Sequence, residues 1–192
     1  YDKRWKAFNN ETYACALNLI EDQRPPGELL DAGIGTGKFC ELVLRQYPDL
    51  QITGLEGTPE MIDIARSRLP KAKIYEIDLE DRWIPVKNKK YDIVTSLNVL
   101  HHLERPEEHL IKLYQHCYSD GVVILADFAI QGPALKFADI WWKFTNPAYV
   151  KAFSPKIMRS IIERSGAFQI ISSKIIKPDH FWKIQIFALR PD

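Results

Sequence analysis

The segment that most restricts the fold is a short apolar run followed by a glycine-rich turn. The run over 29–32 reads as a strand, glycines follow at positions 33, 35 and 37, and a helical pattern begins at Lys38. Glycine has no Cβ, so a backbone of this kind can turn tightly and come close to a ligand. Strand, tight turn and helix in this order are typical of an open α/β sheet, whose ligands bind at the carboxyl ends of the strands.

Short β-rich runs alternate with longer helical ones along the rest of the chain. This alternation predicts parallel strands joined by crossover helices. The predicted strands cover 29–32, 51–55, 73–77, 91–97 and 121–127, and the predicted helices cover 5–22, 38–47, 58–69, 106–117 and 154–166.

The last two β-rich runs, 168–177 and 182–189, are separated by only a short loop. Because the connection is so short, we expect the two strands to pair antiparallel as a hairpin. The pattern therefore predicts a Rossmann-like, doubly wound α/β fold, with a mostly parallel seven-stranded sheet and an antiparallel C-terminal hairpin at its edge. A length of 192 residues favours one domain, 1–192, over two.

The glycine turn has several possible uses, and its sequence separates them. A phosphate-binding P-loop fails twice, because Ala32 stands at the first glycine position and Phe39 replaces the Ser or Thr. A dinucleotide fingerprint is weakened, because its sixth position is Lys38 rather than glycine. A tight turn with no ligand stays open as an alternative.

The spacing GxGxG, with Asp31 two residues before its first glycine, resembles motif I of the class I S-adenosylmethionine-dependent methyltransferases. The family's second and third acids follow its second and third strands, where this chain has Glu56 and Asp78. The segment 91–102, which ends in Asn-Val-Leu-His-His, is similar to the family's fourth strand and the residues after it. The resemblance covers 29–127 closely and 154–189 more loosely.

This resemblance implies S-adenosylmethionine as cofactor and a set of residues that hold it. Asp31 would lie near the ammonium group of the methionine moiety, Glu56 would accept both ribose hydroxyls, and Asp78 would accept from the adenine amino group. Asn98 would bind the methionine moiety, and Met61 would pack near the adenine. The implied cofactor-binding residues are Asp31, Gly33, Gly35, Gly37, Glu56, Gly57, Met61, Asp78, Leu79 and Asn98.

Two adjacent histidines follow the fourth predicted strand, at the edge where we expect the active site. Histidine is the commonest general base, and a base is needed when the methyl acceptor arrives protonated. His102 aligns better than His101 with the histidine often found in similar small-molecule enzymes, so it is the preferred candidate for a base or an acceptor-orienting group. A structural histidine bonded to a loop carbonyl is the alternative.

A metal site is not predicted. His102, His109 and His116 recur every seven residues, which is two helical turns, or about 10 Å. One helix therefore cannot bring two of them to a single ion at ligand distances of about 2 Å.

Aromatic residues are concentrated in two segments, which hold 11 of the chain's 22 aromatics in 39 positions, 1–13 and 128–153. In the resembled family, these segments usually cover the active site. We expect Asp127, Trp141, Trp142 and Trp5 to face an acceptor pocket, although packing of the lid helices explains the aromatics equally well. The implied division is an N-terminal lid helix (1–28), a cofactor-binding core (29–127), an aromatic lid insert (128–153) and a C-terminal helix and hairpin (154–192).

Charge and composition restrict the partners and the compartment. Lys plus Arg number 26 and Asp plus Glu 25, so no net field draws the chain to nucleic acid or anionic lipid. No weakly charged stretch approaches the ~18 residues of a membrane helix. Three scattered cysteines favour reduced thiols and a cytoplasmic protein. The oligomeric state is not predicted.

The sequence thus predicts a methyltransferase that acts on a small, partly apolar acceptor by in-line displacement. A catalytically silent domain that binds the cofactor or a protein partner is the main alternative, because a fold and a cofactor site do not establish turnover. An NAD-type oxidoreductase ranks lower, because the sixth-position glycine of its fingerprint is missing.

Overall fold

The computed structural model describes residues 6–21, 27–130, 133–146, 149–177 and 183–192, with only the backbone described for 6–8 and 133–138. The helices in this part of the chain are α1 (Lys6–Glu21), α2 (Lys38–Gln46), α3 (Pro59–Arg68), α4 (Pro106–Gln115), α5 (Pro133–Thr145) and α6 (Pro155–Ser165). The strands are β1 (Glu28–Ala32), β2 (Gln51–Glu56), β3 (Lys73–Glu76), β4 (Tyr91–Leu97), β5 (Cys117–Phe128), β6 (Phe168–Ile176) and β7 (Ile184–Pro191).

The seven strands form one sheet in the order β3-β2-β1-β4-β5-β7-β6. Pairing is parallel from β3 through β5, and β7 runs antiparallel to both β5 and β6. This arrangement confirms the predicted doubly wound fold and its antiparallel C-terminal pair. The strand that returns from the hairpin, β7, inserts between β5 and β6, so β6 forms the edge of the sheet.

Helices cover both faces of the sheet. One buried cluster joins α1, α2 and α3 to the sheet through residues such as Ile20, Phe39 and Ile62. A second cluster on the other face joins α4 and α6 through residues such as Leu110 and Ile161. The central strands β1 and β4 are buried over almost their whole length, as expected for parallel strands with helices on both sides.

The last helix shows how local sequence sets the helix ends. The Ser154 hydroxyl accepts a hydrogen bond from the Ile157 N–H, and Pro155 stands at the first helical position, two features that favour a helix start. Gly166 ends the helix with a φ of 60°, a left-handed conformation that glycine adopts without strain.

The structure differs from the sequence prediction around α4 and β5. The predicted helix extends to residue 117 and the predicted strand begins at 121, whereas α4 ends at Gln115 and β5 already begins at Cys117. Cys117 pairs with Tyr91 before a register shift, so the strand continues through an irregularity that sequence pattern does not reveal. A Cβ on Gly121 would lie 2.8 Å from the Cys117 Sγ, so glycine suits this close approach.

The strand order reverses between β1 and β4, which leaves a crevice at the carboxyl ends of these strands, the usual ligand site of an open α/β sheet. Most of the site residues predicted from the sequence end or follow the parallel strands β1 to β5. No helix in the described part of the chain is long and apolar enough to cross a membrane.

Candidate active site

The glycine turn is pinned against the ends of β2 and β4. The N–H groups of Gly33 and Ile34 both donate to the Leu55 carbonyl, at 2.8 and 3.0 Å. Gly33 has a φ of 94°, and a Cβ placed on it would overlap the Val99 side chain. The turn therefore needs glycine at this position, and its backbone lies at the reversal point of the strand order.

The other two glycines of the turn also have positive φ, 55° at Gly35 and 73° at Gly37. A Cβ on Gly37, which precedes α2, would come within 2.8 Å of Leu69. A Cβ on Gly35 would lie 3.9 Å from the Met61 sulfur. Half-buried Met61, in the first turn of α3, is therefore beside the glycine turn, as expected if the two share a ligand.

Glu56, the last residue of β2, binds the glycine turn through its carboxylate. Its Oε2 accepts from the Gly35 N–H at 3.0 Å, and its Oε1 accepts from the N–H groups of Gly57 and Thr58 at 3.0 and 2.9 Å. The side chain is half buried. Three hydrogen bonds fix the carboxylate at the end of β2 and connect β2, the start of α3 and the glycine turn.

Asp78 and Leu79 follow β3 in the loop beside Glu56. The Ile77 N–H donates to the Glu56 carbonyl at 2.8 Å, and a Cβ on Gly57 would lie 3.4 Å from the Ile77 carbonyl. Asp78 is exposed, and its Oδ1 accepts from the Glu80 N–H at 2.9 Å. Half-buried Leu79 lies near Gly33, with its Cδ1 3.6 Å from the position of a Cβ there.

Asp31 has a different environment from the other predicted cofactor residues. It is 2% exposed, and its Oδ1 accepts from the Thr95 hydroxyl at 2.7 Å while its Oδ2 accepts from the Cys40 thiol at 3.3 Å. Burial raises the pKa of Asp31 to about 6, although both hydrogen bonds favour the charged form and nearby Glu56 disfavours it. Both carboxylate oxygens are thus engaged by β4 and α2.

Asn98, directly after β4, has a buried acceptor atom that lacks a hydrogen bond. Its φ is 60°, and its backbone N–H donates to the Ala126 carbonyl at 2.8 Å. The Nδ2 donates to the Asn9 Oδ1 of α1 at 3.4 Å, but the buried Oδ1 has no partner among the described residues. Since a buried acceptor without a partner is costly, this atom suits the donor of a ligand.

His101 and Asp127 form a buried pair at the ends of β4 and β5. The His101 Nδ1 lies 2.7 Å from the Asp127 Oδ1, and the His101 backbone N–H donates to Oδ2 at 2.9 Å. Asp127 also accepts from the Phe128 N–H at 2.6 Å. A carboxylate beside Nδ1 favours the tautomer of His101 that carries its proton on Nδ1, which leaves Nε2 as an acceptor on the other side of the ring.

His102 is exposed, and its ring centroid lies 3.9 Å from that of His101. Thus the structure buries one of the two adjacent histidines against a carboxylate and leaves the other at the surface. The sequence favours His102 over His101 as the base, because His102 aligns better with the histidine often found in similar enzymes. The structure does not test this preference, which stays a prediction. The carboxylate partner is a geometric reason to consider His101 first.

Three aromatic rings and the His101 ring pack in a closed cycle. The ring centroids are 4.9 Å apart for His101 and Phe128, 5.4 Å for Phe128 and Trp142, 5.2 Å for Trp142 and Tyr149, and 5.8 Å for Tyr149 and His101. The Tyr149 hydroxyl donates to Asp139 of α5 at 2.5 Å. Helix α5, the segment after it and the end of β5 are therefore joined through these rings beside His101.

The other predicted acceptor residues are less central. Trp141 is 68% exposed, whereas its neighbour Trp142 is half buried against Phe128 and Tyr149. Trp5 lies outside the described residues. Asp139 and Asn9 are not predicted as site residues: Asn9 contacts Asn98 from 89 residues away in the chain, and the contact between Asp139 and Tyr149 follows no local sequence pattern.

His109 and His116, two of the three histidines that recur every seven residues, have separate hydrogen-bond partners. The His109 Nε2 shares a hydrogen bond with the Ser96 hydroxyl at 2.9 Å, and the His116 Nδ1 lies 2.7 Å from the Lys112 carbonyl. Burial lowers the pKa of His109 to about 3, so this side chain is neutral. Among the described residues, no group of three or more potential ligands could hold a metal ion.

Comparisons with known proteins give a match to a family model and to individual relatives. Residues 30–125 match the family model described as "Methyltransferase domain". The chain is 32% identical over 132 residues to the malonyl-[acyl-carrier protein] O-methyltransferase of Acetivibrio thermocellus, covering 66% of this chain and 46% of that protein. It is 31% identical over 84 residues to the trans-aconitate 2-methyltransferase of Sinorhizobium medicae, covering 43% of this chain and 32% of that protein.

Solved structures share the fold at low sequence identity. The magnesium protoporphyrin IX methyltransferase of Synechocystis PCC 6803, solved with bound S-adenosylhomocysteine, superposes with a TM-score of 0.73 at 20% identity. The match covers 96% of this chain and 84% of that one. By contrast, the chain spans less than half the length of the two relatives that it matches by sequence.

Proposed function

Because the chain belongs to the class I S-adenosylmethionine-dependent methyltransferases, through a family match to half of its length, we propose that it methylates a small, partly apolar acceptor. The observation that carries the proposal is the Asn98 Oδ1, which has no hydrogen-bond partner among the described residues and is buried at the reversal point of the strand order, beside the glycine turn. An ammonium group is a donor that fits this acceptor, and S-adenosylmethionine carries one on its methionine moiety.

The residues around the crevice fit the rest of the cofactor. The glycine turn lets the methionine moiety approach the backbone, and the start of α2 at Lys38 favours its carboxylate. Asp31 would act on the ammonium group at longer range, through the field of its carboxylate, because both of its oxygens already accept hydrogen bonds.

Glu56 and Asp78 suit the adenosine moiety. The Glu56 carboxylate is held rigidly by three backbone N–H groups and would accept from the ribose hydroxyls. Exposed Asp78 would accept from the adenine amino group. Gly57 directly follows Glu56, and Met61 and Leu79 lie beside the glycine turn, so these residues would contact the faces of the adenine ring.

When bound, S-adenosylmethionine supplies a methyl group on a sulfonium sulfur, and the thioether leaves with the bonding electrons. The protein must therefore align the acceptor atom, exclude water and remove a proton where the acceptor carries one. His101 would take that proton on Nε2, while Asp127 orients the ring and stabilises the imidazolium that forms. His102 would contact the acceptor from the neighbouring position.

The aromatic cycle supports an acceptor with apolar surface. Phe128 and Tyr149 pack on His101, and Trp142 packs on both of them; aromatic surfaces of this kind bind flat or apolar groups. In the proposed arrangement, the helix α1 and the insert 128–153 act as lids, with Trp142 facing the acceptor pocket and Trp141 at its rim. A cytoplasmic location remains a prediction.

Calorimetry with defined ligands tests the cofactor. We expect S-adenosylmethionine and S-adenosylhomocysteine to bind at one site, and NAD not to bind. Replacement of Asn98 by Gly keeps the positive φ and removes the amide, so it should weaken S-adenosylhomocysteine binding by about 1–3 kcal/mol. Methylthioadenosine, which lacks the ammonium group, should bind both proteins equally.

Asn88→Gly is the matched control, because Asn88 is the other described non-glycine residue with positive φ, at 64°, and it is exposed. This variant should bind every ligand as the unmodified protein does. Absence of adenosyl-ligand binding would overturn the proposal. Binding without methyl transfer across a broad panel of acceptors would instead favour a cofactor-binding domain without activity.

A further inference from the structure

The loop after β3 carries Asp78 and Leu79, and helix α4 supplies two of the hydrogen bonds that hold it. Residues 78–82 lie between β3 and the short turn at Ile84–Val86 and have no strand pairing. Without other contacts, a loop of this kind would let the side chains of Asp78 and Leu79 move. The side chains that bind its carbonyl groups therefore determine how rigid it is.

Lys112 of α4 donates to two carbonyls of this loop. Its Nζ lies 2.7 Å from the Leu79 carbonyl and 2.7 Å from the Asp81 carbonyl. Hydrogen bonds from a charged donor are stronger than those between neutral groups. One side chain thus fixes the backbone on both sides of Glu80, the residue whose N–H donates to Asp78.

Trp83 also binds the Leu79 carbonyl that Lys112 contacts. Its Nε1 donates to the Leu79 carbonyl at 3.2 Å, so that oxygen accepts from two side chains. The Lys112 ammonium also lies 5.8 Å from the centroid of the Trp83 ring, a distance at which a cation is attracted to the ring face. Trp83 is 4% exposed, so it is a firm support for the lysine.

Arg105 adds contacts at the exposed side of the loop. The Arg105 backbone N–H donates to the Glu80 Oε1 at 2.8 Å, and its guanidinium donates to the Glu80 carbonyl at 3.4 Å. Its side chain is 52% exposed, and ion pairs at such positions contribute little. The half-buried Lys112 is therefore the stronger candidate for the group that sets the loop's position.

We propose that Lys112 is a positioning residue that holds Asp78 and Leu79 in place for the adenine ring, and so sets selectivity for adenine over other purines. The inference rests on the proposed function. Its chemical basis is the carboxylate of Asp78, which accepts from the 6-amino group of adenine. A purine with a carbonyl at that position presents an acceptor to the carboxylate, and a rigid loop cannot move away from it.

Helix α4 has other attachments that do not involve this lysine. Leu110 and Leu113 are fully buried in the core, and His109 is bonded to Ser96. Loss of the Lys112 ammonium therefore leaves the helix packed against the sheet while the loop loses two hydrogen bonds. A change in purine selectivity then reports on the loop rather than on the fold.

Calorimetry with S-adenosylhomocysteine and S-inosylhomocysteine, which has a carbonyl in place of the amino group, measures this selectivity. We expect the unmodified protein to prefer the adenosyl ligand by about tenfold or more, the effect of one well-placed hydrogen bond. Lys112→Met should reduce the preference to less than about threefold, and Lys112→Arg should restore much of it. Lys156→Met, at an exposed lysine of α6, is the matched control.

The outcomes separate the two proposals. If the unmodified protein binds neither ligand, the proposed function fails. If it binds both equally, or if Lys112→Met weakens both by the same factor, the function stands and the role of Lys112 is overturned. Thermal unfolding checks that each variant is folded. Should Lys112→Met not fold, Trp83→Phe removes the other donor to the Leu79 carbonyl and must reduce the same preference.

Discussion

The His101 Nδ1 lies 2.7 Å from the Asp127 Oδ1, and the His101 backbone N–H donates to the other oxygen of the same carboxylate. Ring and backbone are thus fixed together, and Asp127 is 1% exposed. We expect Asp127→Asn to lower methyl transfer to a hydroxyl acceptor by about 10²-fold or more, because a neutral amide stabilises the imidazolium less well. Cofactor binding, measured by calorimetry, should stay unchanged.

Variants of the two adjacent histidines complete this experiment. His101→Gln should lose activity to a similar extent as Asp127→Asn, whereas His102→Gln at the exposed neighbour should lose less. Nitrogen NMR of the folded protein should show the proton of neutral His101 on Nδ1. Equal losses in both histidine variants would contradict the assignment of the base to His101.

Glu56 has a structural role that accompanies its proposed contact with ribose. Its carboxylate accepts from three backbone N–H groups, so Glu56→Gln places an amide hydrogen against one of these donors. We expect S-adenosylhomocysteine to bind about 1–3 kcal/mol more weakly to this variant. The 2′-deoxy analogue of S-adenosylhomocysteine should lose less binding free energy in this variant, because it lacks one of the hydroxyls that Glu56 is proposed to accept from.

Glu60→Gln is the control for this prediction, since Glu60 is an exposed acid in the first turn of α3. Its affinity for both ligands should equal that of the unmodified protein. Equal losses for the two ligands in Glu56→Gln would show that the carboxylate acts only through the glycine turn, and the ribose contact would then be rejected.

The sequence predicted the parts of the site that depend on local patterns. Gly33, Glu56 and Asp78 each end or follow a strand that is visible as a β-rich run, and parallel strands bring these ends to one edge. The partners of His101 and Asn98 could not be found in this way. Asp127 is 26 residues from His101, and Asn9 is 89 residues from Asn98, so these contacts depend on strand order and on how α1 packs.

Asp31 shows a second limit of sequence reasoning. The sequence places Asp31 just before the glycine turn. The pattern of residues along a strand does not show which polar groups from other elements a side chain will contact. In the structure that space holds Thr95 and Cys40. The consequence is a buried acid with a raised pKa, which no spacing rule could predict.

Replacing each of the two adjacent tryptophans of α5 should change the free energy of unfolding by very different amounts. Half-buried Trp142 packs on Phe128 and Tyr149, so Trp142→Ala should lower the free energy of unfolding by about 2–3 kcal/mol. Trp141 is 68% exposed, and Trp141→Ala should change the free energy of unfolding by less than about 0.5 kcal/mol. Urea unfolding measures both.

Trp142→Ala should also lower the rate of methyl transfer to the acceptor more than Trp141→Ala does. Neither variant should change the affinity for S-adenosylhomocysteine by much. A cost for Trp141→Ala as large as that for Trp142→Ala would mean that the exposed face of α5 is covered in solution. Equal damage to acceptor use and cofactor binding by Trp142→Ala would point to a structural role alone.

Asp31 should make the stability of the protein depend on pH. Its pKa is raised from 3.8 to about 6 by burial, so the folded state holds the proton more tightly than the unfolded chain. The free energy of unfolding therefore falls as pH rises from about 4 to about 6, by on the order of 2–3 kcal/mol. Asp31→Asn, compared with the unmodified protein by urea unfolding, should become relatively more stable as pH rises through this range.

His109 should produce the opposite dependence, which separates it from Asp31 in the same set of measurements. Burial lowers its pKa from 6.5 to about 3, so the unfolded chain binds a proton that the folded protein does not, and stability is lost as pH falls below about 6.5. His109→Gln, which cannot take up that proton, should therefore gain stability relative to the unmodified protein between pH 6.5 and 4. The pKa of His116 is also lowered, but this residue is present in both proteins and cancels from the difference. A constant difference across the range would mean that His109 is accessible to water and takes up its proton in the folded state.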